Sequence, residues 1–460
     1  MAVELYHKYQ SYSTIDSDNN GEIDFNDDYL EPLMTFDGKE FWTSEELTVG
    51  ATYVDLSEIE QVVRSPIVKR YTRYYLLHSE DETIKKEITQ YIASSGSIEK
   101  NNEVGQSRST SLTFINMPAY KTVINDYNNY GQRSNTPTLM WNPNQAFDDF
   151  ETNAKIKIVT GLEFQGFNYE IDEGIFVIFD PKMSQSGANN SLTFQCYDKF
   201  ALLDGTIDGK GEFDYEIPVN TPICDAIRLL LRLPKNNRGE PYDVKDIIFP
   251  AKYKGELLAY TIKKTADNAI GELIKEMCKS ISCDVKYNTQ GNLVVTDTLD
   301  DLDVHHRKVS WTYDEQSPEY QNPSIDIKRS SIKNKVVVVG ANINGFLCKG
   351  VAENTNPNSL YNINGSFGVK SIKITDNLIP SNRMCEERAK YELDKYMKNY
   401  VTLSFQSVWI PHLEPGDIIR WTKEDWGIEN EEFLVKTVSL PLNGKDFMSL
   451  SLVNTKEISR

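Results

Sequence analysis

The residues with the most specific spacing in this chain of 460 residues lie near its beginning. Asp16, Asp18 and Asn20 occupy positions 1, 3 and 5 of the calcium-loop pattern, and a glycine follows them. Glu22 can offer its main-chain carbonyl at position 7, and Asp27 stands at position 12. Because a hard cation needs several oxygen ligands around one tight turn, this spacing predicts a calcium site.

Two features of this segment depart from the usual calcium loop. Position 12 is Asp27, whose side chain is one methylene shorter than that of the usual bidentate Glu. The sequence also offers no second loop to pair with the first, and the flanking segments have poor helix patterns. A solvated acidic turn is therefore the alternative interpretation.

Two other acidic stretches have simpler explanations than metal binding. Asp204 and Asp208 match no metal-loop spacing and have the residue types of a turn, so a turn is predicted. The stretch 297–306 contains four aspartates followed by His305 and His306. Since adjacent residues of a strand point to opposite faces, these histidines rarely share one ion, and a solvated acidic loop is predicted.

No residue pattern in the sequence indicates catalysis. Neighbouring acids such as Glu386 and Glu387 occur, but a chain with 68 acidic residues contains such pairs by chance. There is no G-x-S-x-G motif and no convincing Cys–His arrangement. The six cysteines lack the spacing of a zinc site, which favours buried free thiols in a reducing compartment. We therefore predict that the protein is not an enzyme.

Composition excludes further classes of function. The formal net charge is −19, whereas nucleic-acid binding requires a basic surface, so we expect no sequence-specific nucleic-acid partner. No apolar run approaches the length of a membrane span, and we expect no stable membrane insertion. The first residues lack the apolar segment of a signal peptide, which predicts a soluble protein made in a cytoplasm.

The clearest β pattern of the chain lies at 174–181 and 191–198. The first run is apolar and is predicted to end at Asp180-Pro181, whereas the second alternates apolar and polar residues. In the middle of the chain, Thr221 and Thr265 each precede apolar residues at helical spacing and are predicted to cap helices. The last third returns to strand patterns and contains one helix pattern at 381–398.

These patterns predict a β-rich α+β fold, with tube-like antiparallel β-barrel or sandwich domains and a small α+β module between them. The predicted divisions are an acidic N-terminal segment at 1–60, a first β domain at 61–217, a small α+β domain at 218–305 and a second β domain with one helix at 306–460.

Three sequence features, taken in order, resemble the hub proteins of bacteriophage tails and related contractile injection machines. The first is YDKF at 197–200, which runs into LLDG at 202–205. The second is a helix and strand pattern at 268–287 followed by GNLVV at 291–295. The third is PHLEPGDII at 411–419, after the late helix and before a closing hairpin. The resemblance covers residues from about 100 to 455 and leaves out the acidic start of the chain.

The resemblance implies two tube-like β-barrel domains joined by a smaller α+β domain. It implies a homo-oligomeric ring, usually a trimer, that continues the tail tube and contacts spike, fibre and other baseplate proteins. The expected location is the virion tail, after synthesis in the host cytoplasm. The acidity of the chain is consistent with a lumen that DNA crosses without binding.

Two other classes of function stay open. One is a receptor- or sugar-binding tail-tip protein, or the ring protein beside the hub, because exposed tryptophans stack on sugars; the candidates are Trp141, Trp311, Trp409, Trp421 and Trp426. The other is a cell-wall hydrolase, for which the sequence offers acidic pairs but no fixed catalytic spacing.

Overall fold

The structure is a computed structural model that describes most of the chain from residue 61 onwards. The described ranges are 61–65, 68–78, 81–93, 95–115, 154–186, 189–211, 214–235, 239–258, 261–265, 267–297, 308–315, 319–343, 345–377, 379–398 and 400–455, with short strands at 5–8, 35–36, 39–40, 123–124 and 138–139. None of the helices within these ranges has the length and hydrophobicity of a membrane span.

The described elements are mainly strands. In chain order the strands are β1 (Leu5–Lys8), β2 (Thr35–Phe36), β3 (Lys39–Glu40), β4 (Lys69–Leu77), β5 (Ile84–Glu87), β6 (Ser97–Asn101), β7 (Arg108–Phe114), β8 (Val123–Ile124), β9 (Thr138–Leu139), β10 (Lys155–Phe164), β11 (Phe167–Ser186), β12 (Asn189–Asp198), β13 (Tyr215–Ile217), β14 (Ile262–Lys264), β15 (Cys283–Tyr287), β16 (Leu293–Asp297), β17 (Val309–Tyr313), β18 (Tyr320–Ile327), β19 (Lys335–Ile343), β20 (Phe346–Glu353), β21 (Ser371–Thr375), β22 (Val401–Ser407), β23 (Ile418–Lys423), β24 (Ile428–Pro441) and β25 (Met448–Asn454). The long helices of the described part are α1 (Ile223–Arg232), α2 (Ile270–Ser280) and α3 (Asn382–Lys398), and residues 61–64 are also helical.

Most of these strands belong to one large, mainly antiparallel sheet of 14 strands. Its order is β18-β22-β25-β24-β6-β7-β12-β11-β10-β4-β5, with β1 beside β11 and with β23 beside both β24 and β17. The pair β17–β23 is parallel. Buried and partly exposed residues alternate along β7 and β22, as the period of two along a strand requires. The predicted β-rich α+β class is confirmed.

The sheet connects an early part of the chain with its last part. Strands β24 and β6 pair antiparallel, so that Leu440 lies opposite Ile98, and both side chains are completely buried. We call 69–198 the first β region and 309–454 the last β region. Strands β4–β7 and β10–β12 of the first region share this sheet with β17, β18 and β22–β25 of the last region. The predicted domain boundaries stay a prediction.

The residues between them, 214–297, form an α+β module with its own core. Helix α1 packs against α2, and α2 packs against the hairpin β15–β16, in one core; the buried set includes Ile227, Leu230, Ile274, Met277, Val285 and Val295. Neither predicted cap is correct. The Thr221 hydroxyl donates to the Pro218 carbonyl instead, and α2 begins well after Thr265, with Ala269 at its cap position. Asp225 and Glu272 in the first turns supply the negative charge that favours a helix start.

Helix α3 covers one face of a separate three-stranded sheet, ordered β20-β19-β21. The helix can approach β20 closely because Gly350 has no side chain. A Cβ atom at Gly350 would lie 2.2 Å from the Glu386 main-chain nitrogen, well inside van der Waals contact. The predicted helix at 381–398 is therefore present and is held against the sheet at a glycine.

Strand β11 continues through the predicted stop at Asp180-Pro181, so that prediction is wrong. Asp180 adopts a φ of 45°, and the register with β12 shifts between Phe179 and Lys182. Such a bulge lets a strand pass a residue that has no N–H to donate, as at a proline.

Candidate functional site: buried charged clusters between three regions

The predicted calcium ligands Asp16, Asp18, Asn20, Glu22 and Asp27 lie outside the described residues, so the calcium site stays a prediction. Within the described part of the chain, no group of three or more His, Cys, Asp and Glu side chains is arranged to hold a metal ion. The chemistry-bearing residues of this part are instead concentrated in two buried clusters of charge.

The first of these, the Lys199 cluster, joins the first β region to the α+β module. Its members are Glu82, Lys155, Lys199, Asp243 and Lys245. The Lys199 ammonium lies 2.7 Å from Glu82 Oε1 and 2.9 Å from Asp243 Oδ1, and it also donates to the Gly291 carbonyl at 2.9 Å. Lys199 directly follows β12, whereas Asp243 and Gly291 belong to the module. One ammonium group thus ties the two regions together.

Glu82 is the acidic centre of the Lys199 cluster. It lies in the turn between β4 and β5 with a φ of 60°, a conformation that residues other than glycine adopt only when their surroundings stabilise it. Lys155 approaches it at 2.6 Å and Lys245 at 3.3 Å. Burial by itself would raise the pKa of Glu82, but the ammonium groups of Lys199 and Lys155 outweigh burial and lower the pKa to about 2.

Tyr287 in β15 completes this contact from the module side. Its hydroxyl donates to Asp243 Oδ2 at 2.6 Å, and its carbonyl accepts from Arg108 Nη1 of β7 at 3.2 Å. Burial first, and then the Asp243 carboxylate, raise the pKa of Tyr287 well above its ordinary value. Tyr287 is therefore a neutral donor that connects the module to β7.

Asp198, which precedes Lys199, fixes the strand end from which Lys199 projects. Its carboxylate accepts from the main-chain N–H groups of Ser107 at 2.6 Å, Arg108 at 3.0 Å and Phe200 at 3.0 Å. The bond from Phe200 caps a short 3-10 turn at Lys199–Leu202. Burial raises the pKa of Asp198 to about 6, although these three donors act in the opposite direction.

The second group, the Glu414 cluster, joins the first β region to the last β region. Its members are Lys100, Arg108, Glu173 and Glu414. Lys100 lies 2.6 Å from Glu173 Oε2 and 2.8 Å from Glu414 Oε1, while Arg108 lies 2.6 Å from Glu414 Oε2. Glu414 follows β22, whereas the other three residues project from β6, β7 and β11. Two cations and two anions thus balance one another.

Burial and neighbouring charge set the protonation states around Glu414. Burial would raise its pKa, but Arg108 and Lys100 lower it overall. Burial also raises the pKa of Glu173, and the charge of Glu414 adds to this effect. His412, only 2% exposed, has its pKa lowered to about 4 by burial and by the Lys100 charge, so it is neutral at pH 7.

Both clusters consist of buried ion pairs that hold separate regions of the chain together. Their carboxylates already pair with ammonium, guanidinium or main-chain N–H donors of the protein itself. A groove of about 360 Å³ lies elsewhere, between α3 and the end of β20. Three of its charged groups form ion pairs: Lys398 pairs with Asp394 at 2.7 Å, and Glu353 pairs with Lys335 at 2.6 Å. The paired charges of the clusters and the groove therefore suit a structural role.

The other predicted candidates have structural surroundings. Asp204 accepts from the Thr206 N–H at 2.9 Å, and Gly205 donates to the Asp208 carbonyl at 2.8 Å, which confirms the predicted turn. Asp297 accepts from the Tyr253 hydroxyl and forms an ion pair with Lys252, while the rest of the stretch 297–306 lies outside the described residues.

Three of the tryptophans considered for sugar stacking are core residues, which removes them from that alternative interpretation. Trp311, Trp409 and Trp421 are at most 1% exposed. Trp426 is 44% exposed and packs against Trp421 with its ring centroid 5.8 Å away, and Trp141 lies outside the described residues. Tryptophan burial is the commoner outcome because the indole ring removes a large apolar area from water.

Comparison with known proteins identifies the fold. No protein-family model matches the sequence, and no curated protein matches it. Among solved structures, the 43 kDa tail protein of prophage MuSo2 from Shewanella oneidensis matches with a TM-score of 0.52 and 12% identity, covering 84% of this chain and 99% of that one. The tail protein from Neisseria meningitidis matches with a TM-score of 0.53 and 11% identity, covering 84% of this chain and 97% of that one.

The chain has the fold of these tail proteins. The resemblance predicted from the sequence is therefore confirmed at the level of the fold. Two of the sequence features behind it, YDKF and PHLEPGDII, lie at the buried clusters: the first contains Asp198 and Lys199, and the second contains His412 and Glu414. In this fold they hold the first β region to the module and to the last β region.

Proposed function

We propose that the protein is a structural component of a bacteriophage tail or baseplate with a hub-like role. Several copies, usually three, form a ring that continues the tail tube and connects it to the tail-tip, spike or fibre apparatus. The observation that carries the proposal is the shared fold, which spans 84% of this chain and 97% or more of the two tail proteins. The corresponding location is the virion tail.

The two ends of the large sheet support self-assembly. Strands β18 and β5 end the strand order, and every residue of β5 and most residues of β18 are exposed. An exposed edge strand offers unpaired N–H and C=O groups to another chain, and proteins generally cover such edges. A ring contact that covers β18 would remove this liability.

The charge distribution supports a structural role over a catalytic one. The buried charges of the Lys199 and Glu414 clusters are paired across regions, as a rigid building unit requires. The net charge of −19 would keep a passing polyanion from binding to the ring.

The test is the mass of the purified protein in solution, measured with an edge variant and a matched control. Ile327 on β18 is 49% exposed, and Leu229, which is 41% exposed, lies on α1 and belongs to neither edge strand. We expect a trimer for the parent and for Leu229→Arg, and dissociation for Ile327→Arg. Electron microscopy of the trimer should show a ring with a central channel.

A mass other than that of a trimer would change the proposal. A hexamer would favour the ring protein beside the hub. A monomer in which Ile327→Arg changes nothing would contradict self-assembly through β18.

A further inference from the structure

The contact between helix α3 and strand β20 contains two cysteines with different access to solvent. Cys385 on α3 is completely buried, whereas Cys348 on β20 is partly exposed. Both are free thiols, and both side chains face the small core between the helix and the three-stranded sheet.

A glycine on β19 brings the two cysteines together. A Cβ atom added at Gly340 would lie 2.8 Å from the Cys385 sulfur and 3.1 Å from the Cys348 Cβ. The Cys385 sulfur therefore lies at most about 6 Å from the Cys348 Cβ, so the two side chains are neighbours in this small core. A disulfide between them would bring the two Cβ atoms to roughly 4 Å. The Cys348 charge also helps to raise the pKa of Cys385, to about 11, with burial as the larger cause.

Main-chain contacts on both sides hold the pair in place. Lys349, which follows Cys348, donates its N–H to Asn382 Oδ1 at 2.8 Å. Gly350 lies directly against the main chain of Cys385. Strand and helix are thus held together one and two residues after Cys348, which keeps the two thiols at the same contact.

We propose that Cys348 and Cys385 form a redox-sensitive thiol pair that becomes a disulfide on exposure to a low-molecular-weight disulfide. The Cys348 thiolate attacks the small disulfide, forms a mixed disulfide and releases one small thiol. The Cys385 thiolate then attacks the Cys348 sulfur and releases the second small thiol. Two protein thiols are oxidised and one small disulfide is reduced to two thiols, so atoms and electrons balance.

The bond would fasten α3 covalently to the sheet that it covers when the protein leaves a reducing compartment. The protein contains its own comparison. Cys278 and Cys283 are close enough for the charge of one to affect the pKa of the other, but both are completely buried in the module core. The two thiols of this second pair are close together, but a small disulfide in solution cannot reach them. They therefore stay reduced in the folded protein. The inference does not depend on the proposed tail role.

The experiment treats the reduced, folded protein with oxidised glutathione, unfolds it with a thiol-blocking reagent and maps the cross-linked peptides by mass spectrometry. We expect the loss of two of the six thiols, one cross-link between Cys348 and Cys385, and reversal by dithiothreitol. Retention of all six thiols, or prior formation of a Cys278–Cys283 cross-link, would overturn the proposal.

Two single variants separate the steps. Cys385→Ser should accumulate a mixed disulfide between Cys348 and glutathione, because the second thiol is missing. Cys348→Ser, which alters only the partly exposed partner, should give neither the cross-link nor a mixed disulfide at Cys385. Cys224→Ser should form the cross-link like the parent. Unchanged thiol loss in Cys348→Ser would overturn the proposal even if Cys385→Ser failed to fold.

Discussion

The ammonium group of Lys199 lies 2.7 Å from the carboxylate of Glu82, and neither side chain is more than 1% exposed. Lys199 also contacts Asp243 of the module at 2.9 Å, so one buried cation serves two carboxylates from different regions. A buried ion pair contributes little net stability compared with an apolar pair, but removal of one partner leaves an uncompensated charge. The contact is therefore a sensitive point for testing how the regions are joined.

Lys199→Met tests this contact, since methionine keeps an apolar stem and loses the charge. We expect the free energy of unfolding to fall by about 3–5 kcal/mol, because buried Asp243 loses its ammonium partner, whereas Glu82 keeps Lys155 and Lys245. Urea denaturation followed by tryptophan fluorescence measures the change. The control is Lys69→Met, whose partner Glu163 lies at the same 2.7 Å but with side chains 71% and 42% exposed. This control should cost less than about 1 kcal/mol. Equal losses in the two variants would contradict a joining role for Lys199.

Glu82→Gln tests the electrostatics of the same cluster through pH. The folded-state pKa of Glu82 is lowered from 4.5 to about 2, so its stabilising contribution is complete above about pH 4.5 and is lost as the pH falls towards 2. The variant lacks this titration. We expect its stability deficit relative to the parent to shrink by up to about 3 kcal/mol over that interval. Melting temperatures at pH 3, 4, 5 and 6 measure the trend. Parallel curves for parent and variant would show that Glu82 is not stabilised by its lysines.

His412→Leu tests the histidine beside the Glu414 cluster. The folded-state pKa of His412 is lowered from 6.5 to about 4, so its contribution is complete above about pH 6.5 and is lost as the pH falls towards 4. Asp198 and Asp417, whose pKa values burial raises to about 6, act oppositely and add stability as the pH falls through 6. We expect the variant to gain up to about 3 kcal/mol relative to the parent between pH 6.5 and 4. Calorimetric scans over that range measure the gain, and an unchanged difference would contradict the neutral buried state of His412.

The fold class could be predicted from the sequence because its signals are local. Strands β12 and β22 follow the period-two alternation that predicts them, and α3 lies where its helical spacing predicts a helix. Local sequence patterns gave wrong helix starts and a wrong strand end where tertiary contacts determine the backbone conformation. Thr221 and Thr265 are good cap residues by type, but neither caps a helix, and a bulge carries β11 through Asp180-Pro181.

The buried clusters could not be predicted because their members are distant in sequence. Lys199 was visible within YDKF and Glu414 within PHLEPGDII, but nothing near either one identifies Glu82 or Lys100 as its partner. One local feature does accompany the clusters: a charged residue stands next to residues that are buried in the structure. Lys199, for example, lies between the buried residues Asp198 and Phe200. A charged residue in such a position indicates a partner elsewhere in the chain without identifying it.

Gly350→Ala tests the close packing of α3 on β20. A Cβ atom at this position would lie 2.2 Å from main-chain atoms of Cys385 and Glu386, which cannot move without shifting the helix. We expect a loss of about 1–3 kcal/mol in the free energy of unfolding, as for other overpacked sites. Gly255→Ala is the control, because nothing lies within 4 Å of a Cβ atom there. Thermal denaturation compares the two variants, and equal stability would show that the helix tolerates a wider spacing.

The calcium prediction at the start of the chain is tested by binding and by stability together. Asp16, Asp18, Asn20, Glu22 and Asp27 supply oxygen ligands in the order of a calcium loop. We expect calorimetric titration to show one calcium site in the parent and none in the double variant Asp16→Asn, Asp18→Asn. A chelator should lower the melting temperature of the parent alone, because a ligand that binds only the folded state stabilises it. The control Asp204→Asn, Asp208→Asn changes a turn outside this loop and should bind calcium like the parent. Calcium binding that persists in the first double variant would place the ion elsewhere, and a parent without calcium binding would leave 16–27 as a solvated acidic turn.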